Sequence, residues 1–318
     1  MSTLYLTEQG SKVKRKEGRI IIEKRDEILL DLPINKIERI MIIGNVQMTT
    51  QALSIFLQKG IPIAFLNTSG KLKGIIESIS SKNVQRRIEQ YEAYKNKEFS
   101  LSISRNIVEG KLYNQRKLIK RWSSRRNLSF KNKVSKIEYL LAIVNNKRTL
   151  NSLRGVEGIG SAIYFSVFGR IVHRKKFIRK RRPPPDPINA LLSYGYTVLP
   201  FECISALKAA GLDPYIGFFH KVRPSRPALA LDFLEEFRGP IVDTGVVELI
   251  SRKILHPDKD FEMIEEIGGV FLKKSAKKKF FTYYDMRMAK FRWIIHKQSD
   301  NMAMSIIKRE KYKPFRVE

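Results

Sequence analysis

Cysteine and acidic residues are both scarce in this sequence. Cys203 is the single cysteine among 318 residues, which excludes an intrachain disulfide and a zinc cluster of several thiolates. A reducing cytoplasm is the expected compartment. The N-terminal sequence MSTLYLTEQGSK also lacks the charged and then apolar segments of a signal peptide, and no uninterrupted run of about 18 apolar residues is present. We therefore expect a soluble, cytoplasmic protein with no membrane partner.

The scarcity of acids leaves the chain strongly cationic. It has 61 Lys and Arg residues against 31 Asp and Glu residues, a formal net charge of +30, and 43% hydrophobic residues, which suffice for a folded core. A folded polycation attracts polyanions, of which nucleic acid is the commonest. An anionic membrane surface and nonspecific adhesion to RNA are the open alternatives. The composition favours nucleic acid as the partner.

The first 80 residues have the pattern of a compact β domain. Short runs rich in Ile, Leu and Val, including LYLT, RIIIEK, EILLDL, KIERIMIIG, IPIAFLN and KLKGIIES, alternate with turn sequences such as QGSK, EGR and NTSG. One helix is predicted inside this region, in TTQALSIFLQKG, with Thr49 or Thr50 as its N-cap and Gly60 as its stop signal.

Helical spacing dominates after residue 80. Ile103, Ile107 and Leu112, for example, recur at the spacing of one helix face. We therefore predict an α+β fold with two domains. The β domain covers residues 1–80, and a larger, all-α domain covers residues 81–318.

Positive charge is concentrated in the predicted helical domain. Residues 1–84 contain 13 Lys and Arg against 8 Asp and Glu, a net charge of +5, whereas residues 85–318 contain 48 against 23, a net charge of +25. The densest cationic segment has eight Lys and Arg residues between Arg170 and Arg182 and precedes three consecutive prolines. We therefore expect the helical domain to meet the nucleic acid.

This cationic segment has two interpretations. It is either a solvated charge run joined to a rigid proline linker, or an arm that follows successive phosphates of DNA. Beyond the prolines, Asp186 and Pro187 form a good N-cap and first-turn pair for a new helix. We favour the arm, and predict that DNA is bound by its cations and by one arginine further along, which are Arg174, Lys175, Lys176, Arg179, Lys180, Arg181, Arg182 and Arg223.

Two isolated side chains are candidates for chemistry. Glu157 stands between small residues in GVEGIGSAIYF, ahead of an apolar helix. Its ordinary alternative is a first-turn glutamate favoured by the helix dipole. His220 lies in the loop GFFHKVRPSRP between two predicted helices, where a capping or solvent-facing histidine is the ordinary alternative.

Three acids are crowded on the helix that follows this loop. Asp232, Glu235 and Glu236, in LALDFLEEFR, are related by three and four residues and so share a helix face. The ordinary alternative is solvation or pairing with the nearby arginines, which are Arg223, Arg226 and Arg238.

Phosphodiester chemistry supplies a reason to combine these groups. A divalent cation held by carboxylates and an imidazole neutralises developing charge on a phosphate and orients the attacking oxygen. Oxygen ligands with one nitrogen suit Mg²⁺ or Mn²⁺. A strongly cationic chain that binds DNA would then gather carboxylates where the metal stands.

The same stretches resemble a known family. GVEGIGSAIYF, RRPPPDPINALLSYGY, GFFHKVRPSRPALALDFLEEFR, GGVFL and YKPF follow one another as in the CRISPR-associated endonuclease and integrase family Cas1, and GNVQMTTQALSIFLQKGIPIAFL resembles its first domain. The resemblance covers essentially the whole chain. It implies a β-sandwich-like N-terminal domain, a helical catalytic domain, and a homodimer joined largely through the β domains. A small ferredoxin-like CRISPR-associated protein is the implied partner, which bridges two dimers.

The resemblance also implies the roles of individual residues. It places the metal, Mg²⁺ or Mn²⁺, on Glu157, His220 and Glu235, and it places Asp232 beside the site as a further catalytic residue. Asp232 would bind a second ion, orient His220 or position water. The metal-binding position at Glu235 is Asp or Glu in the family, and Glu236 is a conceivable substitute.

The implied reaction is insertion of spacer DNA into a repeat array. A DNA 3′-hydroxyl attacks a phosphodiester at the edge of a repeat, and the same site hydrolyses DNA, including branched forms, when water attacks. Two other functions stay open at this point. One is a stand-alone repair nuclease for branched DNA, and the other is a non-enzymatic scaffold that binds nucleic acid.

Overall fold

The computed structural model describes residues 2–67, 72–78, 83–172, 177–180 and 183–318. Its strands are β1 (Ser2–Leu6), β2 (Lys12–Lys16), β3 (Arg19–Lys24), β4 (Glu27–Pro33), β5 (Ile37–Ile43), β6 (Gln47–Met48), β7 (Ile63–Leu66), β8 (Leu72–Ile76), β9 (Phe261–Ile264) and β10 (Gly269–Leu272). Its α-helices are α1 (Thr50–Gln58), α2 (Val84–Lys95), α3 (Lys97–Arg126), α4 (Lys131–Ile143), α5 (Leu150–Ile171), α6 (Pro187–Ala209), α7 (Ala228–Phe237), α8 (Thr244–Ser251), α9 (Lys274–Ala289) and α10 (Arg292–Lys308). The chain is therefore a mixed α+β protein, as predicted.

The N-terminal strands form two four-stranded sheets. One has the order β1-β5-β7-β8, with parallel pairing of β5 to β1 and β7 and antiparallel pairing of β7 to β8. The other has the order β4-β3-β2-β6 and places β4 at an edge. Their shared core contains Val13, Ile20, Ile40, Phe56 and Ile63, all buried. Thr49 caps α1 through its side chain, and Gly60 follows the helix with a positive φ, which confirms the predicted start and stop signals.

Strand β5 is buried on both of its faces. Ile40 and Ile42 belong to the core between the sheets, whereas the alternate residues Met41 and Ile43 belong to the core of the helices. Arg39 of β5 also forms a buried ion pair with Glu202 of α6. The sheets and the helices are thus packed against each other along β5.

The helical core is built around α3 and α6. Helix α3 packs against α4, α5 and α7, and α6 packs against α7 and α10. Helix α6 is long and apolar enough to span a bilayer by length and composition, but 72% of its most apolar window is buried inside the protein. Asp186 accepts a hydrogen bond from the Asn189 amide and Pro187 occupies the first turn, which confirms the predicted start of α6.

The prediction that residues 81–318 are all-α is wrong in one segment. Strands β9 and β10 pair as an antiparallel hairpin, and β10 contains most of the GGVFL motif. A short turn with Gly268 in the left-handed region connects them. The backbone of Val270 also donates to the Pro184 carbonyl, so the hairpin is attached to the proline segment before α6. Two short strands of four residues lack the length at which helical and strand periods become distinct.

A π-helical segment, Arg238–Asp243, joins α7 to α8 without a break. Pro240 lies inside it and has no N–H to donate, so the regular helical bonding is interrupted there. Arg287 of α9 donates to the carbonyl oxygens of Pro240 and Ile241. These bonds satisfy carbonyl groups that the irregular turn leaves open.

Candidate active site

Side chains from α3, α5 and α7 meet at one point in the helical core. The Lys111 ammonium of α3 contacts the carboxylate of Glu157 on α5, and it lies 2.9 Å from Oε2 of Glu235 on α7. Gly160, one turn beyond Glu157, permits this approach because a side chain there would collide with Leu112 of α3. Lys111 and Glu235 are buried, whereas Glu157 is partly exposed. Glu157 and Glu235, predicted as metal ligands, are therefore brought together around a positive charge.

Glu157 does not lie in the first turn of its helix. Helix α5 begins at Leu150 with Thr149 as its N-cap, two turns before Glu157. The ordinary alternative of a glutamate favoured by the helix N-terminus is therefore wrong, because that effect fades within the first turn. Instead Glu157 accepts a hydrogen bond of 2.9 Å from Ser161 on the same helix and pairs with Lys111.

Glu235 remains ionised in spite of its burial. Burial by itself raises the pKa of Glu235, but the charges of Arg238, Lys111 and His220 lower it to about 2. Arg238 Nη2 lies 2.9 Å from Oε1 of Glu235. Of the arginines that sequence reasoning offered as partners for the acids, Arg238 fills that role. The backbone N–H of Arg226 instead donates to the carbonyl of Arg223 within a turn.

One oxygen of Glu235 lacks a well-directed hydrogen bond. Oε2 is buried, and its 2.9 Å contact with the Lys111 ammonium is an ion pair whose angles are poor for a hydrogen bond. A buried carboxylate oxygen in this condition is open to a better-placed cationic ligand. Its pKa of about 2 also keeps the carboxyl charged, and therefore able to bind metal, at neutral pH.

His220 is fixed by Asp232. Oδ1 of Asp232 lies 2.7 Å from the His220 Nδ1 and accepts a hydrogen bond of 2.8 Å from the His220 backbone. Its other oxygen accepts the backbone N–H groups of Phe218 and Phe219. Gly217 lets this loop approach the start of α7, since a Cβ there would collide with the backbone of Ala228. Asp232 thus holds the histidine loop and leaves Nε2 as the ring nitrogen for a ligand.

Glu236 faces a different part of the molecule. Its Oε1 accepts a hydrogen bond of 2.5 Å from the Tyr312 hydroxyl, and its Oε2 accepts from the Phe315 backbone. Burial raises the pKa of Glu236 to about 8, although both hydrogen bonds oppose the shift. The three acids of α7 therefore do not form one cluster: Asp232 binds the histidine loop, Glu235 binds Lys111 and Arg238, and Glu236 binds the C-terminal segment.

A second polar cluster, formed by Tyr196, Tyr164 and Asp243, lies next to Arg238. Its guanidinium lies over the Tyr196 ring, 4.8 Å from the centroid, and the hydroxyls of Tyr196 and Tyr164 both donate to Asp243. Burial raises the pKa of Asp243 to about 6, against the effect of these hydrogen bonds. Sequence reasoning did not identify Asp243, whose π-helical position gives no periodic signal.

The predicted DNA-binding residues are only partly described by the structure. Arg174, Lys175, Lys176, Arg181 and Arg182 lie outside the described residues. Arg179 donates to Asn189 and Ser193 of α6 and lies over the Tyr196 ring, so its side chain is attached to the protein. Lys180 and Arg223 are exposed, and Arg223 is three residues from His220.

Lys111 is the main residue of this site that sequence reasoning missed. A signal was present, because Lys111 follows Ile107 by four residues and precedes Gln115 by four, on the face of α3 that packs in the core. A lysine on a buried helix face is uncommon unless it is paired. Its partners, however, lie 46 and 124 residues further along the chain.

The donor set suits a divalent cation in its chemistry. Two carboxylates and an imidazole nitrogen are ligands that Mg²⁺ and Mn²⁺ accept, and Glu235 offers a buried oxygen without a hydrogen bond. Within the described ranges, no three His, Cys, Asp or Glu side chains stand close enough together to hold a metal ion. The Lys111 ammonium occupies the space between the two carboxylates instead.

Comparison with known proteins places these features in a family. Residues 4–286 match the family described as CRISPR associated protein Cas1. A CRISPR-associated endonuclease Cas1 from Thermodesulfovibrio yellowstonii is 32% identical over 313 residues, which cover 96% of this chain and 98% of that protein. The structure of a Cas1 protein from Thermotoga maritima superposes with a TM-score of 0.85 and 26% identity over the full length of both chains.

Two further solved structures share the fold. A casposase bound to integration product superposes with a TM-score of 0.87 and 24% identity, over all of this chain and 95% of that one. A chain of a Cas6-RT-Cas1–Cas2 complex superposes with a TM-score of 0.84 and 24% identity, over all of this chain and 36% of that one.

Proposed function

Since the chain belongs to the Cas1 family of CRISPR-associated proteins, we propose that it inserts spacer DNA into a repeat array in the cytoplasm, by attack of a DNA 3′-hydroxyl on a phosphodiester. Relatives named CRISPR-associated endonuclease Cas1 support a nuclease or integrase activity for this chain. The single observation that carries the mechanism is the pair of carboxylates, Glu157 and Glu235, gathered around a positive charge, with His220 near enough for its charge to lower the pKa of Glu235.

Glu157, His220 and Glu235 would hold the divalent cation, Mg²⁺ or Mn²⁺. When bound, the ion neutralises charge on the phosphate and orients the attacking oxygen. Asp232 keeps Nδ1 of His220 engaged, which leaves Nε2 as the ring nitrogen that would bind the ion. Arg238 and Lys111 keep Glu235 ionised, so no proton has to be removed before it binds a cation near neutral pH.

The substrate is double-stranded or branched DNA. The formal net charge of +30 attracts it, and exposed cations such as Lys180 and Arg223 would contact its phosphates. Exchange of one phosphodiester for another is nearly neutral in free energy, so the site has to align the groups and stabilise charge. A covalent intermediate on the protein is not needed.

We further propose that the protein acts as a homodimer and assembles with a small ferredoxin-like partner that bridges two dimers. The shared fold with a chain of a Cas6-RT-Cas1–Cas2 complex supports assembly with a partner protein. The dimer would form at β4, an edge strand whose exposed apolar side chains are described below. Two catalytic sites at a fixed distance would then attack the two strands of one repeat.

A joining assay tests the proposed function. Purified protein is given a DNA with a free 3′-hydroxyl and a repeat-containing target, with Mn²⁺, with Mg²⁺ or with a chelator. We expect joining only with metal, and a loss of more than about 100-fold in Glu157→Gln, His220→Ala and Glu235→Gln. The glutamine variants remove charge without opening a cavity.

Glu138→Gln is the matched control, because Glu138 is a half-exposed acid on α4 that pairs with Lys120. It should join DNA as well as the wild type. Metal-independent joining, or normal turnover in any two of the three site variants, would disprove the proposed site. Hydrolysis of branched DNA without any joining would instead favour a repair nuclease, and inactivity with intact DNA binding would favour a scaffold.

A further inference from the structure

Lys111 has no other partner in the described part of the chain than the two carboxylates of the candidate site. Its ammonium contacts Glu157 and lies 2.9 Å from Oε2 of Glu235. The lysine is 6% exposed, so it has little access to water that could replace these partners. A buried lysine held in this way is a counter-ion for the carboxylates.

The charges of the two carboxylates and of the two basic side chains paired with them cancel before any metal binds. Glu157 and Glu235 carry two negative charges, and Lys111 and Arg238 carry two positive charges. A divalent cation would add two positive charges to this neutral group, and the nearest existing cation would oppose it. One of the two basic side chains therefore has to withdraw, or its repulsion weakens the binding of the ion.

Lys111 is better suited to withdraw than Arg238. The guanidinium of Arg238 is held over the Tyr196 ring and lies close to Asp243, and it makes an ion pair with Oε1 of Glu235. Lys111 has a flexible four-carbon stem, and it faces Oε2 of Glu235, which accepts no well-directed hydrogen bond. The ammonium is thus the more mobile of the two cations beside Glu235, because its stem is flexible and no aromatic ring holds it.

We propose that Lys111 is the resident cation of the carboxylate pair: it holds Glu157 and Glu235 in place without metal, and a divalent ion has to displace it. This inference rests on the proposed function, because it assumes that the two carboxylates bind metal. It makes Lys111 a positioning residue whose charge lowers the affinity for metal. A lysine that merely supported the fold would have the opposite effect, because its loss would disorder the ligands and weaken metal binding.

The test is a titration of Mn²⁺ alone, without DNA, followed by electron paramagnetic resonance of the free ion. We expect Lys111→Met to bind Mn²⁺ about tenfold or more tightly than the wild type, since one opposing charge is removed from a buried site. Lys111→Arg should bind no more tightly than the wild type because it keeps the charge. Lys120→Met, on the exposed side of the same helix, is the matched control and should be unchanged.

Thermal unfolding supplies a second readout. In a chelator, Lys111→Met should melt at a lower temperature than the wild type, because Glu157 loses its basic partner and Glu235 keeps only Arg238. Saturating Mn²⁺ should then raise its melting temperature more than it raises that of the wild type. If Lys111→Met does not fold, Lys111→Gln removes the same charge, retains hydrogen-bonding capacity and carries the same expectations.

The outcomes separate this inference from the proposed function. Unchanged or weaker Mn²⁺ binding in a folded, neutral Lys111 variant, with normal binding by the wild type, overturns the resident-cation role alone. If the wild type and Glu235→Gln bind Mn²⁺ equally weakly, the metal site itself is disproved, and the inference fails with it. Tighter binding in Lys111→Met and unaltered binding in Lys120→Met support it.

Discussion

The buried carboxylate of Asp232 fixes the position of His220. It is fully buried, and its two oxygens accept three backbone N–H groups and face the imidazole of His220. Four donors converge on one carboxylate, so the loop before α7 and the histidine ring are fixed together. Removal of a residue that orients a metal ligand in this way typically changes metal affinity or activity by about 10 to 100-fold.

We predict that Asp232→Asn lowers DNA joining by about 10 to 100-fold and also lowers the melting temperature. The amide has one acceptor oxygen instead of two, so part of the loop loses its bonds. The measurement is a double-mutant cycle with His220→Ala. If Asp232 acts through His220, adding Asp232→Asn to His220→Ala should cost little further activity. Full additivity of the two losses would contradict this role.

Glu236 makes the stability of the protein depend on pH. Burial raises its pKa to about 8 from an ordinary 4.5. The raised value means that the folded state holds the proton more tightly than the unfolded chain. This contribution to stability is complete below pH 4.5 and is lost as the pH rises towards 8. It amounts to about 5 kcal/mol, since each pKa unit is worth about 1.4 kcal/mol.

We predict that Glu236→Gln flattens the decline in melting temperature between pH 5 and pH 8.5, because the amide has no proton to lose. Asp243, with its pKa raised to about 6, still contributes a decline at lower pH in both proteins. Thermal unfolding followed by circular dichroism across this range measures the difference. Parallel curves for the wild type and the variant would show that Glu236 is not protonated in the folded state.

At the scale of elements, the C-terminal segment is a strap across α3 and α7. We define it as residues 310–318. Phe315 stacks on Phe237 of α7 with ring centroids 5.1 Å apart, and Asn114 of α3 bonds to the backbone of Phe315 and Val317. Together with the bonds to Glu236, these contacts hold the residue that follows Glu235. The strap therefore limits the movement of α7 at the candidate site.

We predict that Phe315→Ala destabilises the protein by about 2 to 3 kcal/mol, below the usual loss for a fully buried phenylalanine because Phe315 is partly exposed. It should also reduce DNA joining, because α7 is less firmly held beside Glu235. Arg316→Ala is the control, since this exposed arginine of the strap pairs with Glu109 and contributes little. An unchanged melting temperature in Phe315→Ala would show that the strap does not support α7.

The basic segment before α6 separates into two kinds of residue. Arg179 is bonded to α6, whereas Lys180 is exposed. We predict that neutralising Lys180, Arg181 and Arg182 together weakens binding of unrelated DNA sequences and reduces its dependence on salt. Each phosphate contact that is lost lowers the number of counterions released when the protein binds DNA. Arg179→Gln should instead lower stability and leave the salt dependence nearly unchanged. Equal salt slopes for the triple variant and the wild type would identify the segment as a linker.

At the scale of the whole molecule, β4 is the most unusual surface of the N-terminal sheets. Ile28, Leu29 and Leu30 are 60%, 42% and 41% exposed on an edge strand. An exposed apolar edge is a ready site for pairing with another chain, and natural proteins seldom leave one uncovered. This edge is the candidate interface of the proposed homodimer.

We predict that Ile28→Lys combined with Leu30→Lys converts the proposed dimer of this chain to a monomer in sedimentation. Joining of both strands of one repeat should then fall further than cleavage at a single site, since two sites at a fixed distance are lost. Lys14→Ala, on β2, is the control and should remain a dimer, because Lys14 is a partly exposed residue that pairs with Glu23 of β3 and does not contact the edge strand. A dimer in the double lysine variant would place the interface elsewhere.

The packing of β5 against the helices argues against experiments on separate fragments of the chain. Met41 and Ile43 are buried among the helices, and Arg39 pairs with Glu202 in the interior. A fragment cut near residue 80 would expose these groups to water. The boundary predicted there stays a prediction, and residues 79–82 lie outside the described part of the chain. Variants of the full chain avoid this difficulty.

The sequence by itself determined the features that arise from neighbouring residues. The N-caps at Thr49 and Asp186 were predictable because a cap bonds to an amide three residues away. The excess of positive charge and the motifs around Glu157, His220 and Glu235 identified the family without any coordinates. Composition and short motifs survive folding unchanged, so they can be read directly from the chain.

Only the tertiary structure decided which charges meet. Lys111 lies between acids that are 46 and 124 residues away, and Glu236 is engaged by a tyrosine 76 residues further along. Helical spacing placed the acids of α7 on one face, yet their side chains reach three different partners. The charge state of a buried carboxyl depends on its depth and on the groups packed around it, and those are fixed only when distant elements pack together.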